Sequence, residues 1–305
     1  MLLIAPASFL IPVIGVAVVH RVAVIGAGTM GHGIAQVAAM AGLSTRITDA
    51  DERALKTACE RIRTNLAGAV SRGKLTQAAA DAAARRIVTV PNVADAVGET
   101  DLIIEAIVED LQAKCDLFCL LDEVTAADTI LATNTSSLSV GQIAAATRRP
   151  ARVLGMHFFN PAHIMRLVEL VVHRQTDEDV LASTRAVAIS MGKTPIVVRD
   201  TPGFASSRLG LALGLEAMRM LEAGVASAED IDTAMELGYG HPMGPLRVSD
   251  LVGLDVRLNI AEYLHRELKA PHFQPPEILR NKVRKGELGK KVGRGFYEWP
   301  KNQLS

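Results

Sequence analysis

The chain lacks several of the features that mark large protein classes. It has no excess of charge: 33 Lys plus Arg balance 33 Asp plus Glu over 305 residues. A neutral protein has no global field to draw it onto nucleic acid or an anionic membrane, so any anionic ligand must be held by local features. Cysteine is scarce, with only Cys59, Cys115 and Cys119. That odd number, without zinc-ligand spacing to paired histidines, fits a reducing compartment and leads us to expect a cytoplasmic protein with no metal site. Internal repeats and low-complexity segments are absent, which excludes solenoids. Basic residues are also missing ahead of the apolar start "MLLIAPASFLIPVIGVAVVH". A secretory signal would carry them, and Pro6 and Pro12 spoil a spanning helix. Residues 1–19 are read as a dispensable extension or an early start, the alternatives being an anchor or a cleaved or docking segment; no stable membrane association is expected.

Apolar residues make up 49% of the chain, enough for packed cores in two domains of ordinary size. Residues 21–51, "RVAVIGAGTMGHGIAQVAAMAGLSTRITDAD", predict strand, glycine turn, helix and strand. The β-branched run Val22 to Ile25 suits a buried parallel strand, and Ile34, Val37, Ala38 and Ala41 recur at helical spacing. Between them Gly26, Gly28 and Gly31 form G-x-G-x-x-G, and Asp49 ends the next strand. Glycines permit the tight turn and close backbone approach, the helix N-terminus receives a pyrophosphate, and the acid bonds ribose hydroxyls. Gly26, Gly28, Thr29, Met30, Gly31 and Asp49 are therefore expected to bind a dinucleotide. Asp49 would repel a 2′-phosphate, favouring NAD over NADP, although Arg46 and Arg53 stand close in sequence and temper that preference.

Further strands are expected at 87–90, 101–105, 129–132, 152–158, 166–172 and 195–198, with helical patterns between most of them. This alternation predicts an α/β domain of Rossmann type, a doubly wound and mostly parallel sheet covered on both faces. From "DTPGFASSRLGLALGLEAMRMLEAG" onward helix follows helix, so an all-helical C-terminal domain is expected. The boundaries are set at 20–201 and 202–305.

"GMHFFNPAHIMRLVEL", residues 155–170, poses a chemical problem. Glu169 stands in an apolar run where a buried strand belongs, and a buried carboxylate without a partner is costly. His157 is the first candidate for that partner. Oxidation of a hydroxyl needs a base that titrates near neutrality, and a carboxylate on the far ring nitrogen fixes the tautomer and stabilises the imidazolium.

In these residues the chain resembles the short-chain 3-hydroxyacyl-CoA dehydrogenases, including the bacterial 3-hydroxybutyryl-CoA dehydrogenases. The resemblance rests on "GAGTMGHGIA", "EAIVEDLQAK", "NTSSL", "HFFNP", "LVEL", "DTPGF", "EDIDTAM", "HPMGP" and "GRGFYEW", in the family's order over roughly residues 20 to 300. It implies an NAD-dependent oxidoreductase that interconverts a 3-hydroxyacyl-CoA and a 3-ketoacyl-CoA. His157 would exchange the proton of the 3-hydroxyl and Glu169 would hold its imidazole. Asn160 and Ser136 match residues near the nicotinamide and the substrate oxygen; without the family they read as turn and cap residues. Glu109, Lys114 and Lys291 match cofactor-contacting positions. Without the family, Glu109 and Lys114 are an ordinary solvated helix start.

One position departs from the pattern. Where most members have an asparagine after "DTPGF", this chain has Ser207, a shorter side chain that can still donate one hydrogen bond; it is kept as an expected substrate contact, the alternatives being a reshaped acyl pocket or a helping Ser206. For the CoA moiety, "ERIRTNLAGAVSRGKL" offers Arg61, Arg63, Arg72 and Lys74, and by family position Asn65 and Arg72 are the expected contacts. The resemblance also implies a homodimer through the helical domain, whose Leu209, Leu211, Leu213, Leu215, Met218 and Leu221 exceed the needs of one helix face. From the length, no fused hydratase is expected. Alternatives are a longer or ω-carboxylated acyl chain, such as 3-hydroxyadipyl-CoA, a free hydroxy acid as substrate, or a nucleotide-binding protein without turnover.

Overall fold

The computed structural model of the chain describes residues 18–300; the expectations attached to residues 1–17 lie outside the described residues. Within them the chain forms two compact units, one running to Thr135 and again over Ser139–Asp200, the other comprising Ser136–Leu138 and the chain from Thr201 onward.

The first unit is built on eight strands: β1 (Arg21–Ile25), β2 (Ser44–Thr48), β3 (Ile87–Thr89), β4 (Leu102–Glu105), β5 (Ile130–Thr133), β6 (Val153–Phe158), β7 (Leu167–Val172) and β8 (Thr194–Arg199). Their order is β3-β2-β1-β4-β5-β6-β7-β8. All neighbours are parallel except β6 and β7. Parallel strands need crossovers, supplied here by helices α1 (Gly31–Met40), α2 (Glu52–Ser71), α3 (Gln77–Arg85), α4 (Val93–Val97), α5 (Leu111–Val124), α6 (Val140–Ala144) and α7 (Glu178–Ser190). The Rossmann-type sheet is as expected, and the strands lie within a residue or two of their expected limits.

Local chemistry explains several of these helices. Asp51, Thr76, Asn92, Asp110 and Ser139 each accept a hydrogen bond from a first-turn amide of the helix that follows, satisfying an otherwise orphaned donor. Asp200, the first residue of "DTPGF", accepts from the amide of Gly141 at 2.7 Å and from Ser139 Oγ at 2.9 Å, so it anchors the start of α6. The core between sheet and helices is aliphatic, with Val22, Val24, Ile34, Ile47, Ile104 and Leu154 in one cluster.

The second unit is helical: α8 (Ser206–Glu222), α9 (Ala228–Tyr239), α10 (Pro245–Val252), α11 (Leu254–Leu268) and α12 (Glu277–Arg284). Leu211, Leu215, Met218, Leu254, Leu264 and Phe273 form its core. Two buried aspartates hold the C-terminal segment to these helices. Asp232 accepts from the amides of Leu246 and Arg247 at the start of α10 and from Tyr297 Oη. Asp250 accepts from the amides of Phe296 and Tyr297 and from the Trp299 indole, each at 2.9 Å. Close packing accounts for the glycines of "HPMGP" and "GRGFYEW": a Cβ at Gly244 would strike Asp232, and one at Gly295 would lie 2.1 Å from Asp250 Oδ1. Burial and the Asp232 carboxylate push the Tyr297 phenol well above its ordinary range. Hydrogen bonds to a charged acceptor are worth roughly 1.5–3 kcal/mol each. Asp250→Ala, which orphans three donors at once, is therefore expected to cost about 3 kcal/mol or more, read by urea denaturation.

Candidate active site

The glycine turn is placed between β1 and α1. Gly26 has φ +100°, and a Cβ there would lie 2.4 Å from the Ala106 carbonyl oxygen. A Cβ at Gly31 would lie 1.7 Å from the Gly26 carbonyl oxygen, so no other residue fits this helix start. At Gly28 a Cβ would meet nothing within 4 Å. The turn is thus compressed against the protein at its two ends and open at its middle, where Gly28 and Thr29 are exposed and Met30 is half-buried. The His32 ring nitrogen Nδ1 lies 2.8 Å from the Gly28 carbonyl oxygen, and donation from it holds the turn against α1.

Asp49 follows β2 and accepts from the Ala27 amide through Oδ2 at 2.6 Å and from the Asp51 amide through Oδ1 at 2.9 Å. Each carboxylate oxygen keeps a second lone pair, so the acid is oriented and still able to accept from a ribose hydroxyl. Arg46 donates to the Asp95 carbonyl oxygen at 3.0 Å and is held there, while Arg53 stands exposed beside Asp51. Together these features fit a dinucleotide.

At the end of β4 the structure corrects the reading of Lys114 as part of a solvated helix start. Its side chain is 1% exposed, and Nζ lies 2.5 Å from Glu105 Oε1 and 3.4 Å from Glu109 Oε2. Glu105 is fully buried and also accepts from the Ile107 amide and from Thr133 Oγ1. Glu109 remains exposed and accepts from Thr135 Oγ1 at 2.6 Å. Sequence reading missed Glu105, although the signal was present: an acid closing the apolar run "DLIIE" raises the same question as Glu169.

His157 and Glu169 are directly opposite one another in the antiparallel pairing of β6 with β7. Opposed residues in such a pair bring their Cβ atoms within about 5 Å on one face. His157 Nδ1 lies 2.7 Å from Glu169 Oε2, with the histidine 6% exposed and the glutamate fully buried. Donation from Nδ1 to the carboxylate orients the ring and sets its tautomer. The Phe159 ring packs on the imidazole at 4.5 Å between centroids. Asn134 of "NTSSL", not singled out from the sequence, accepts from the Phe158 amide at 2.9 Å and ties β5 to β6.

Asn160 is exposed in the loop between β6 and β7 and precedes Pro161 through a cis peptide bond. Buried Lys193 donates to the carbonyl oxygens of Ala162 and of Met165, the latter at 2.8 Å, and so holds that loop. Asn65 of α2 donates to Gln36 Oε1 at 3.1 Å and lies 3.5 Å from His163 Nδ1. Burial, and then the neighbouring His32, Lys193 and Arg72, hold the His163 imidazole below its ordinary range. The charged neighbours of His163 are therefore basic ones, and Arg72, like Arg61 and Arg63, is exposed.

Ser136 clusters with the helical unit rather than with the strand it follows. Ser207 Oγ donates to the Ser136 carbonyl oxygen at 3.4 Å, so these two expected substrate residues are brought together. Lys291 pairs with Asp255 at 2.6 Å inside the helical unit. Burial raises the Asp255 carboxyl, but the hydrogen bond and charge of Lys291 together with backbone amide donors, Val256 among them, outweigh it and leave the group below its ordinary range.

Residues 21–201 match the family model described as the 3-hydroxyacyl-CoA dehydrogenase NAD binding domain, and residues 203–299 match the C-terminal domain of the same family. The chain belongs to the 3-hydroxyacyl-CoA dehydrogenase family. It is 44% identical to the 3-hydroxybutyryl-CoA dehydrogenase of Mycobacterium tuberculosis over 283 residues, covering 92% of this chain and 99% of that protein. A probable 3-hydroxybutyryl-CoA dehydrogenase of Bacillus subtilis is 43% identical over 281 residues, covering 92% and 98%. The crystal structure of (S)-3-hydroxybutyryl-CoA dehydrogenase from Ralstonia eutropha superposes with a TM-score of 0.90 at 38% identity, covering 93% of this chain and all of that one. The glycine turn and Asp49 described above lie in the NAD-binding part of this 3-hydroxyacyl-CoA dehydrogenase, and NAD is its cofactor. Among the described residues no helix is long and apolar enough to cross a membrane.

Proposed function

We propose that the protein is an NAD-dependent (S)-3-hydroxyacyl-CoA dehydrogenase of the cytoplasm, acting on the 3-hydroxybutyryl thioester or a derivative of similar chain length. The observation that carries this reading is the 2.7 Å bond between His157 Nδ1 and Glu169 Oε2 on a buried cross-strand pair. NAD, when bound, supplies the hydride acceptor. In this chain Gly26, Gly28, Thr29, Met30 and Gly31 would cradle its pyrophosphate, Asp49 would accept from its ribose, and Glu109, held by Lys114, would stand at a cofactor-contacting position. Lys291 is assigned to the same cofactor by family position.

His157 Nε2 takes the proton of the 3-hydroxyl as the carbonyl forms, and returns it in the reverse direction. Glu169 balances the charge that then appears on the imidazole. Asn160 and Ser136 donate to the developing carbonyl oxygen. Ser207 contacts the same end of the acyl chain, and Asn65 with Arg72 meets the CoA phosphates. Exposed Leu209, Leu237 and Tyr239 on the helical unit support a homodimer, which light scattering at micromolar concentration tests. The activity is tested by initial rates of NADH oxidation with acetoacetyl-CoA beside free acetoacetate, using the full chain. Turnover confined to the thioester is the expected result. Faster reduction of the free acid, or of neither compound, would overturn the reading.

A further inference from the structure

At the carboxyl end of β4 two carboxylates share one ammonium, which is more negative charge than Lys114 needs. Glu105 Oε1 accepts from the Ile107 amide at 2.7 Å and from Lys114 Nζ at 2.5 Å, and Oε2 accepts from Thr133 Oγ1 at 2.6 Å. The Thr133 oxygen itself accepts from the Thr135 amide at 3.2 Å, so its own proton is directed to Glu105. Thr135 Oγ1 donates in turn to Glu109 Oε1 at 2.6 Å, and Glu109 Oε2 lies 3.4 Å from Lys114 Nζ. Glu105, Lys114, Glu109, Thr135 and Thr133 thus close a ring. A protonated Glu105 would need an acceptor, whereas each of its contacts is a donor. The acid is therefore ionised, and two carboxylates with one ammonium leave the ring with one net negative charge.

The order of the sheet places this charge. β2, β1, β4, β5 and β6 are consecutive, parallel neighbours. Asp49 follows the end of β2, the glycine turn follows β1, Glu105 and Thr133 close β4 and β5, and His157 stands one residue before the end of β6. Ile25 and Glu105 are direct partners across β1 and β4. A dinucleotide on a doubly wound sheet lies across the carboxyl ends of the strands. With its ribose at Asp49 and its pyrophosphate at the glycine turn, it must pass the ends of β4 and β5 to bring its nicotinamide to His157. Glu109 is the charged member of the ring that reaches solvent there, with 39% of its side chain exposed against 1% for Lys114 and none for Glu105. The oxidised nicotinamide carries a positive charge that the reduced ring lacks, so a fixed negative charge beside it stabilises one form more than the other.

We propose that Glu105 is a specificity residue for the oxidation state of the cofactor: by outweighing the Lys114 ammonium it keeps one negative charge on the ring, which favours oxidised NAD over NADH. The proposal rests on the assignment of His157 to the chemistry and goes further by giving the buried carboxylate a task. It is tested on the full-length protein by the dissociation constants of both cofactor forms, NADH by fluorescence titration and oxidised NAD by competition against it. Glu105→Gln leaves the ring neutral and should raise the ratio of the oxidised to the reduced constant by about 3- to 10-fold, the factor expected of one unit charge at several ångströms in a partly hydrated site. The double variant Glu105→Gln with Lys114→Met restores one negative charge through Glu109, and its ratio should return toward wild type. Glu109→Gln removes the same charge at the exposed end of the ring, where folding is least at risk, and should move the ratio in the same direction as Glu105→Gln. An equal loss of affinity for both forms would give the ring a purely structural role and overturn the proposal, as would an unchanged ratio in the variants or a double variant that keeps the ratio of Glu105→Gln. Each of these leaves the dehydrogenase reading standing if wild type reduces acetoacetyl-CoA. A wild type that binds neither cofactor form would overturn both.

Discussion

Replacing His157 with glutamine should lower kcat for acetoacetyl-CoA reduction by ~10²- to 10⁴-fold, the range contributed by positioned acid–base catalysis. Glutamine keeps much of the volume and can still hydrogen-bond Glu169, so the strand pairing survives. It cannot exchange a proton with the substrate oxygen. Hydride transfer without that exchange must form an alkoxide, and the barrier rises accordingly. The cofactor cradle lies on β1, α1 and β2, apart from β6, so NADH affinity measured by fluorescence titration should stay within a few-fold of wild type. Loss of rate with intact NADH binding is the expected signature. A variant that keeps more than a tenth of wild-type kcat would remove His157 from the chemistry, and with it the reading of Glu169 as its support.

Lys114→Met should destabilise the first unit by about 3–5 kcal/mol, the usual cost of removing one partner from a buried ion pair. Glu105 has no exposed surface, and its two remaining donors, the Ile107 amide and Thr133 Oγ1, are neutral. Without the ammonium the carboxylate must remain as an unpaired charge or take up a proton, and either is costly. The pair as a whole need not be stabilising, because desolvation of both ions offsets their attraction. The double variant Glu105→Gln with Lys114→Met should therefore regain much of the loss, since a neutral amide keeps a carbonyl oxygen for Ile107 and asks for no counter-ion. Urea denaturation of the four members of the cycle measures both quantities. A loss below about 1 kcal/mol in Lys114→Met would mean that the site relaxes or admits water.

Several features were legible because they depend on neighbours in the chain. The glycine turn needs only a strand before it, a helix after it and an acid at the end of the next strand, and "RVAVIGAGTMGHG" with Asp49 meets those conditions. The buried parallel strands were legible as short β-branched runs between helical patterns. Glu169 drew attention because a carboxylate in such a run demands a partner, and the structure provides His157 at 2.7 Å. The same reasoning, applied to "DLIIE", would have found Glu105, but the partner it required was a lysine nine residues on, which helical exposure statistics assign to solvent.

The sequence by itself determined the family, the fold class, the cofactor turn and the identity of the catalytic candidates, since all of these follow from short-range periodicity and from motifs whose spacing a few residues control. Only the tertiary structure decided which charges are buried and what completes them. The register of β6 against β7 set His157 opposite Glu169, when a slip of one residue would have turned the two side chains to opposite faces. The packing of α5 against the sheet turned Lys114 inward, the docking of the C-terminal segment gave Asp250 its three donors, and the approach of α11 to α8 left Arg257 buried beside Gly210. In each case the decisive quantity is the loss of water around a charge, which depends on residues distant in the chain and carries no periodic mark in the sequence.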